Sequence, residues 1–186
     1  KKTSENLNIL LRRTRELYRI SQAIGTVRTP NELLSVLLSS SYLKNASRAS
    51  IAILEKPWLE NEAPPEHCFI LAEWNRGVRQ PRFISKRFTL EEYGIMLPIP
   101  YGQQILIQDI QSVLKLPEPV RKRFAALHTQ SLIILPLIAG GEWYGLLSLH
   151  LKTNIVNNVD DLRHVRGLVN ETAIVIKNIR LLEAES

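Results

Sequence analysis

The chain has 186 residues, of which 45% are hydrophobic and 23% charged, the balance of a globular domain large enough to bury a core. No apolar run approaches the roughly 20 residues of a membrane-spanning helix. The single cysteine, Cys68, excludes an internal disulfide and fits a reducing compartment, so we expect a cytoplasmic protein. Because the first residue is Lys1, we also expect the chain to be a piece of a longer protein.

The N-terminal segment has the periodicity of an amphipathic helix over residues 1–25. Its apolar positions recur in steps of three and four, the spacing of a coiled-coil seam. Four of them are candidates for a dimer interface: Leu7, Leu10, Leu17 and Ile24. We expect Ser4 to cap this helix and Gly25 to end it. A second helix should follow, with Thr29 as its cap and Pro30 in its first turn.

The periodicity then changes to two, which predicts strands. Between and after these strands, glycines and prolines mark an irregular section, which is followed by a short strand and a short helix. The predicted strands cover residues 47–56, 67–75, 81–88 and 104–110, the irregular section 89–104, and the short helix 116–130.

Residues 131–152 read as two strands joined by a turn at Gly140 and Gly141. Side chains alternate between the faces of a strand. On the second strand Leu147, Leu149 and Leu151 therefore share one face, which suits packing against the terminal helices. Ser148 and His150 share the other face, whose mixed polarity suits a ligand, although a hydrogen-bonded core histidine is the alternative for His150.

The last segment predicts one long helix that begins near Asp160. It has two apolar stripes, so we expect one to cover the sheet and the other to pair with another helix. The stripe assigned to a dimer interface contains Leu162, Val169, Ile176 and Ile179. The order of elements indicates an α+β fold, with terminal helices on one face of an antiparallel sheet and a ligand pocket under the covering segment on the other.

Several stretches in this order resemble a GAF domain, the small-molecule sensor module of signalling proteins. They are "LYRISQAIGTVRTPNELLSVLL", "SRASIAILE", "ILIQDI", "SLIILPLIAGGEWYGLLSLHL" and "VDDLRHVRGLVNETAIVIKNIRLLE", which together cover nearly the whole chain. The resemblance implies a six-stranded antiparallel sheet of the GAF-like or PAS-like kind, a ligand pocket on one face and terminal helices that pair in a homodimer. It implies no catalysis; such domains relay a conformational bias to an output domain in the same protein.

The residues do not favour the more specific functions found in that family, which are cyclic-nucleotide binding, covalent bilin attachment and thiol–disulfide redox chemistry, or metal binding. The signature of its cyclic-nucleotide-binding members is absent from "NIVNNVDD", where Asn157 and Asp160 are better interpreted as turn and helix-cap residues. The predicted pocket helix has no cysteine for a covalent bilin, and Cys68 in "EHCF" is better interpreted as a buried thiol. One cysteine cannot run a thiol–disulfide cycle, and the four histidines lack metal-ligand spacing.

We therefore predict one GAF-like domain, with a signalling helix at 1–25, a sensor core at 29–157 and a second signalling helix at 158–186. The candidate ligand-binding residues are Trp74, Tyr101, Asp109, Phe124, Ser148 and His150. For Asp109, capping the turn that begins at Ile110 is an equal alternative.

Two other functions stay open at this point. A ligand-free dimerisation and signal-relay module would need only the two apolar seams. A nucleic-acid-binding module would use the basic N-terminal helix, but no recognition helix or zinc spacing accompanies those charges.

Overall fold

A computed structural model describes residues 1–77, 82–95, 97–154 and 159–185, without the side chains of Val159 and Asp160. The helices within these ranges are α1 (Lys2–Ile24), α2 (Pro30–Leu38), α3 (Leu90–Tyr93), α4 (Glu118–Ala126), α5 (Val159–His164) and α6 (Arg166–Glu185). The strands are β1 (Ala46–Trp58), β2 (His67–Asn75), β3 (Arg87–Thr89), β4 (Ile105–Ile107), β5 (Ser131–Ala139) and β6 (Glu142–Leu151).

The strands form one six-stranded sheet in the order β3-β2-β1-β6-β5-β4, with every neighbouring pair antiparallel. The predicted α+β architecture with six antiparallel strands is confirmed. The long strands β1 and β6 pair at its centre, so their side chains line the middle of both faces. None of the described helices is long and apolar enough to cross a lipid bilayer.

One face of the sheet, here the helix face, packs against α1, α2, α5 and α6. Leu147, Leu149 and Leu151 of β6 are buried there together with Ala49 and Ile51 of β1. The predicted split of the β6 side chains between the two faces is thus confirmed. The strands β1 and β6 are buried on both faces at this point, and alternation along them directs one apolar set of side chains to the helix face.

The predicted dimer seam on the C-terminal helix is wrong for three of its four residues. Leu162, Val169 and Ile176 are 8%, 7% and 0% exposed because α5 and α6 lie directly on the sheet of their own chain. Ile24 of α1 is likewise 3% exposed in the same core. These side chains are almost wholly covered by their own chain, which leaves too little surface for a helix–helix seam with a second copy.

The remaining residues of the predicted dimer seams differ in how far they are exposed. Leu17 and Ile179 are half-buried against the core of the helix face, whereas Leu7 and Leu10 are 57% and 56% exposed. All of residues 1–15 are exposed. Arg13 lies 5.0 Å from the Tyr42 ring centroid, whereas Leu7 and Leu10 are not part of the core of the helix face.

Helix caps account for the starts of two helices. The side chain of Thr29 accepts a hydrogen bond from the backbone N–H of Glu32, which confirms the predicted cap of α2. Thr89 and Glu92 form a reciprocal capping box that starts α3 inside the section predicted as irregular. Gly94 ends that helix in the left-handed conformation, with φ of 119°.

Several predicted boundaries were wrong. The helix α1 begins at Lys2 rather than after Ser4, and the third strand is reduced to Arg87–Thr89. The long C-terminal helix is interrupted at Val165, where α5 gives way to α6. The turn role of Asn157 and the capping role of the Asp160 side chain lie outside the described residues.

Candidate functional site

A buried ion pair lies on the opposite face of the sheet, here the covered face, under α3 and α4. Arg48 Nη2 of β1 is 2.6 Å from Glu73 Oε1 of β2, and the two side chains are 2% and 1% exposed. Arg48 Nη1 also donates to Asn75 Oδ1 at 3.0 Å. Because Arg48 sits opposite Asn75 and Ser50 sits opposite Glu73, the pair bridges neighbouring positions of the β1–β2 ladder.

The Glu73 carboxylate also holds the segment that precedes β3. It accepts the backbone N–H of Phe83 at 2.9 and 3.0 Å, one contact to each oxygen. The Phe83 ring covers the Arg48 guanidinium at 5.6 Å and meets Phe88 edge-on at 6.1 Å. One carboxylate thus positions both a buried cation and the aromatic side chain above it.

Three hydroxyl groups form a second hydrogen-bonded set beside the ion pair. Ser148 Oγ donates to the Tyr93 hydroxyl at 2.6 Å, and Ser50 Oγ lies 3.1 Å from the same oxygen. Burial raises the pKa of Tyr93, so its phenol stays protonated at neutral pH. These bonds connect α3 to β1 and β6.

His150 lies two residues beyond Ser148 on β6 and on the same face of the sheet, as a neutral imidazole. Its Nδ1 is 2.9 Å from Thr129 Oγ1, and its ring centroid is 5.7 Å from that of Phe124. Burial and then the charges of Arg48 and Arg123 lower the pKa of His150 to about 3. A cationic ring would meet two fixed positive charges here, so the protonated form is excluded at neutral pH.

Arg123 of α4 closes the covered face. Its guanidinium donates to the backbone carbonyl of Glu92 and lies 4.7 Å and 5.0 Å from the ring centroids of Phe88 and Phe124. Burial lowers the pKa of Arg123. The side chains around this space are here called the covered-face cluster: Arg48, Ser50, Glu73, Phe83, Phe88, Tyr93, Arg123, Phe124, Ser148 and His150. The space left between the cluster's side chains is a cavity of about 30 Å³, which corresponds to about one water molecule.

The structure brings together only half of the predicted ligand-binding residues. Phe124, Ser148 and His150 line this cavity. Trp74 instead packs on the helix face, where Arg76 lies 4.8 Å above its ring.

The other two predicted residues have structural partners elsewhere. The Tyr101 hydroxyl donates to the carbonyls of Trp58 and Gly141 at the far end of the covered face. Asp109 is exposed, and its carboxylate accepts from Gln111 N and Ser112 Oγ, the capping arrangement that was its alternative.

Sequence reasoning missed Arg48, Glu73, Tyr93 and Arg123. A signal for the first was present, because Arg48 and Ser50 alternate with Ala49 and Ile51 in a strand that reads as central. Polar residues at the inward positions of a central strand mark a buried polar cluster. The other three depend on how β2, α3 and α4 are placed, which no local pattern gives.

The single cysteine and the possible metal ligands can be located in the structure. Cys68 is fully buried on β2, and burial raises the pKa of its thiol to about 12, so it is not a thiolate at neutral pH. Within the described parts of the chain, no three His, Cys, Asp or Glu side chains come together to hold a metal ion.

Comparison with solved structures identifies the architecture. The phycocyanobilin-bound GAF domain of a cyanobacterial phytochrome superposes with a TM-score of 0.62 at 17% identity, over 91% of this chain and 96% of the other. The GAF domain of an Acinetobacter phosphoenolpyruvate-protein phosphotransferase gives 0.65 at 14% identity, over 92% and 97%. The chain therefore has the GAF fold.

Longer proteins contain the same fold. The chromophore-binding domain of a bacteriophytochrome from R. palustris matches with a TM-score of 0.62 at 10% identity, and this GAF-fold chain spans 63% of its length. No protein-family model and no curated protein sequence matches the chain. The likeness is thus one of fold, and the function has to be argued from the residues.

Proposed function

We propose that this GAF-fold chain is a non-catalytic sensory domain of a larger signalling protein, and that it binds a small molecule between the covered face and α3–α4. The observation that carries the proposal is the buried Arg48–Glu73 pair. Burying two charges costs several kcal/mol per ion before their attraction offsets it, and apolar side chains of similar volume often give equal or greater stability. A domain that needed only a core would not require charges here.

The hydrogen bonds of the cluster define what a ligand must do. Arg48, Tyr93 and Ser148 are already bonded within the chain, so a ligand has to replace internal partners with its own polar groups. Phe83, Phe88 and Phe124 line the cavity, so a ligand larger than about 30 Å³ has to displace some of these rings. Binding can shift the domain between two states only by the difference in affinity for them.

One arginine connects the sheet to the C-terminal helix. Arg180 Nη1 of α6 donates to the Leu54 carbonyl of β1 at 2.6 Å, and its other terminal nitrogen donates to the Glu55 carbonyl. The Leu54 side chain belongs to the core of the covered face. In the proposed relay, a rearrangement on that face reaches α6 through the packing of the Leu54 side chain and the hydrogen bonds of Arg180, and α6 passes it to an output domain.

The proposed relay also uses a homodimer, formed through surfaces that the chain leaves open. The first half of α1 exposes Leu7 and Leu10, and an apolar groove of about 500 Å³ between α1 and α6 is flanked by Ile174 and Leu182, 53% and 67% exposed. A helix of 23 residues is about 34 Å long, and its exposed half gains little from helix propensity alone. Pairing with a second copy would supply the missing packing.

The ligand part of the proposal is tested by native mass spectrometry of freshly purified protein. We expect a retained small molecule that is lost in Tyr93→Phe and Ser148→Ala, since each removes one hydroxyl of the covered face. Asp109→Ala, on the exposed cap, is the matched control and should retain it. Retention in both cluster variants would place the ligand elsewhere.

The dimer is tested by sedimentation equilibrium of the double variant Leu7→Glu/Leu10→Glu. We expect monomers, because the charges face a second copy on the exposed half of α1. Asn8→Glu changes the charge of the same helix without touching the apolar pair and should remain dimeric. An unchanged molecular mass for the double variant would contradict pairing through α1.

A ligand-free relay module is the second candidate, and the size of the cavity favours it. Ligand pockets measure about 300–1,000 Å³, whereas the cavity between the cluster's side chains is about 30 Å³. This candidate predicts a dimer from which no small molecule is released, with both cluster variants still dimeric.

A further inference from the structure

A larger groove lies away from the covered-face cluster, at the edge of the sheet beside the junction of α5 and α6. Its volume is about 550 Å³, within the range of small-molecule sites. Leu135, Pro136 and Ile138 of β5 form its apolar floor together with Leu162 and Val169. It shares no lining residue with the cavity around Arg48.

The shortness of β4 creates this groove. Strand β4 pairs with β5 only opposite Leu132, Ile133 and Ile134, so the following residues of β5 have β6 on one side and no strand on the other among the described residues. The segment at Gly102 and Gln104 forms one wall, and the α5–α6 junction forms the other.

The wall formed by the helices is positively charged. Arg163, Arg166 and Asn170 line it, and Arg166 and Asn170 are four residues apart on one face of α6. Among the side chains that the structure describes, no carboxylate lies within 4.0 Å of Arg166. Gln104 adds an amide from the opposite wall, so the rim is cationic and polar above an apolar floor.

We propose that this groove binds a small amphipathic anion. The anionic head, a carboxylate or a phosphate, pairs with Arg163 and Arg166, and the apolar body lies along the β5 side chains. A guanidinium presents a planar set of donors that matches the oxygens of either head group. A peptide that added a strand to this open edge fits less well, because Pro136 lacks the N–H that a strand partner would use.

The position of the groove gives its occupant an effect on the C-terminal helix. Leu162 of α5 and Val169 of α6 stand on either side of the interruption at Val165 and both line the floor. A bound anion would thus contact the sheet edge, α5 and α6 together. Its affinity depends on the placement of α6, the helix that the proposed relay uses.

The test uses decanoate as the probe, titrated into the intact chain by isothermal calorimetry. We expect saturable binding with one site, weakened at least tenfold in Arg163→Gln/Arg166→Gln and by added salt. Decanol, which lacks the negative charge, and inorganic phosphate, which lacks the apolar chain, should both bind more weakly than decanoate. Arg87→Gln, which removes an exposed arginine at the opposite edge of the sheet, should bind as the unmodified chain does.

A second variant tests the location without changing charge. Asn170→Trp, at an exposed helix position, fills the groove and should abolish binding, while Tyr93→Phe should leave it unchanged because the covered-face cavity is separate. Three outcomes would each overturn the proposal. The double arginine variant could bind decanoate as tightly as the unmodified chain does, decanol could bind as tightly as decanoate, or Tyr93→Phe could lose decanoate binding. Loss only in Asn170→Trp and the arginine variant would support it even if the covered-face cavity holds no ligand.

Discussion

The helix face of the sheet is packed with leucine, isoleucine and alanine, whereas the covered face places an arginine, a glutamate, a histidine and three hydroxyl groups among its apolar side chains. Both faces are buried to a similar degree, so burial alone does not explain the difference. On the helix face each contact is non-directional and tolerates neighbours of similar volume. On the covered face each polar group depends on particular partners, and loss of a partner leaves an uncompensated group in the interior.

This contrast predicts the largest effect for removing one half of the ion pair. Glu73→Ala leaves Arg48 charged and buried and the N–H of Phe83 without its acceptor, so we expect a loss of about 3–5 kcal/mol in the free energy of unfolding. Urea denaturation measures it. Glu66→Ala, whose side chain is 87% exposed, should change stability by less than about 0.5 kcal/mol. Equal effects of the two substitutions would show that the pair is not structurally important.

The helix face should respond through lost volume instead. Ile176→Ala opens a cavity under α6, and we expect it to cost about 2–5 kcal/mol without changing the sedimentation mass. Leu181→Ala, on the same helix but 48% exposed and outside the groove between α1 and α6, should cost less than about 0.5 kcal/mol. If Ile176→Ala dissociated a dimer and left the free energy of unfolding unchanged, the placement of Ile176 in the core of its own chain would be wrong.

The covered face should also make stability depend on pH. The pKa of His150 is 6.5 in the absence of the fold and about 3 within it, so between these values only the unfolded chain binds the proton. Stability that is present above pH 6.5 is therefore lost as the pH falls towards 3, by up to about 1.4 kcal/mol per pH unit.

The variant His150→Gln isolates this contribution. It removes the titrating ring while keeping a polar side chain, so its unfolding free energy should decline less steeply between pH 7.5 and pH 5 than that of the unmodified chain. Urea denaturation at three pH values gives both slopes. Parallel slopes would mean that other groups set the pH dependence.

The smallest effect is expected at a residue that sequence analysis placed in the site. Asp109→Ala removes the cap of the turn at Ile110 and should cost about 0.5–1 kcal/mol, with no change in any ligand bound on the covered face. Asp109→Asn keeps an acceptor oxygen and should cost less. Thermal unfolding compares the stability of the two variants. If either variant lost a ligand that the unmodified chain retains in native mass spectrometry, Asp109 would belong to the ligand site after all.

The sequence by itself determined most of the elements and the composition of the helix face. Two-residue alternation in β6 separates Leu147, Leu149 and Leu151 from Ser148 and His150, and each set lies on the face predicted for it. The Thr29 cap likewise follows from contacts within a few residues. Such features are local, so a pattern along the chain is enough to predict them.

Only the tertiary structure decided which apolar stripe of the C-terminal helix meets the sheet and what occupies the covered face. The stripe containing Leu162, Val169 and Ile176 is as suitable for packing against a partner helix as against the sheet. Which of the two it contacts depends on how α5 and α6 pack on the rest of the chain. Arg48 and Glu73 are 25 residues apart in the chain and become partners through the β1–β2 register. Their charges can stay buried only because that register sets them 2.6 Å apart, and no local pattern specifies such a pairing.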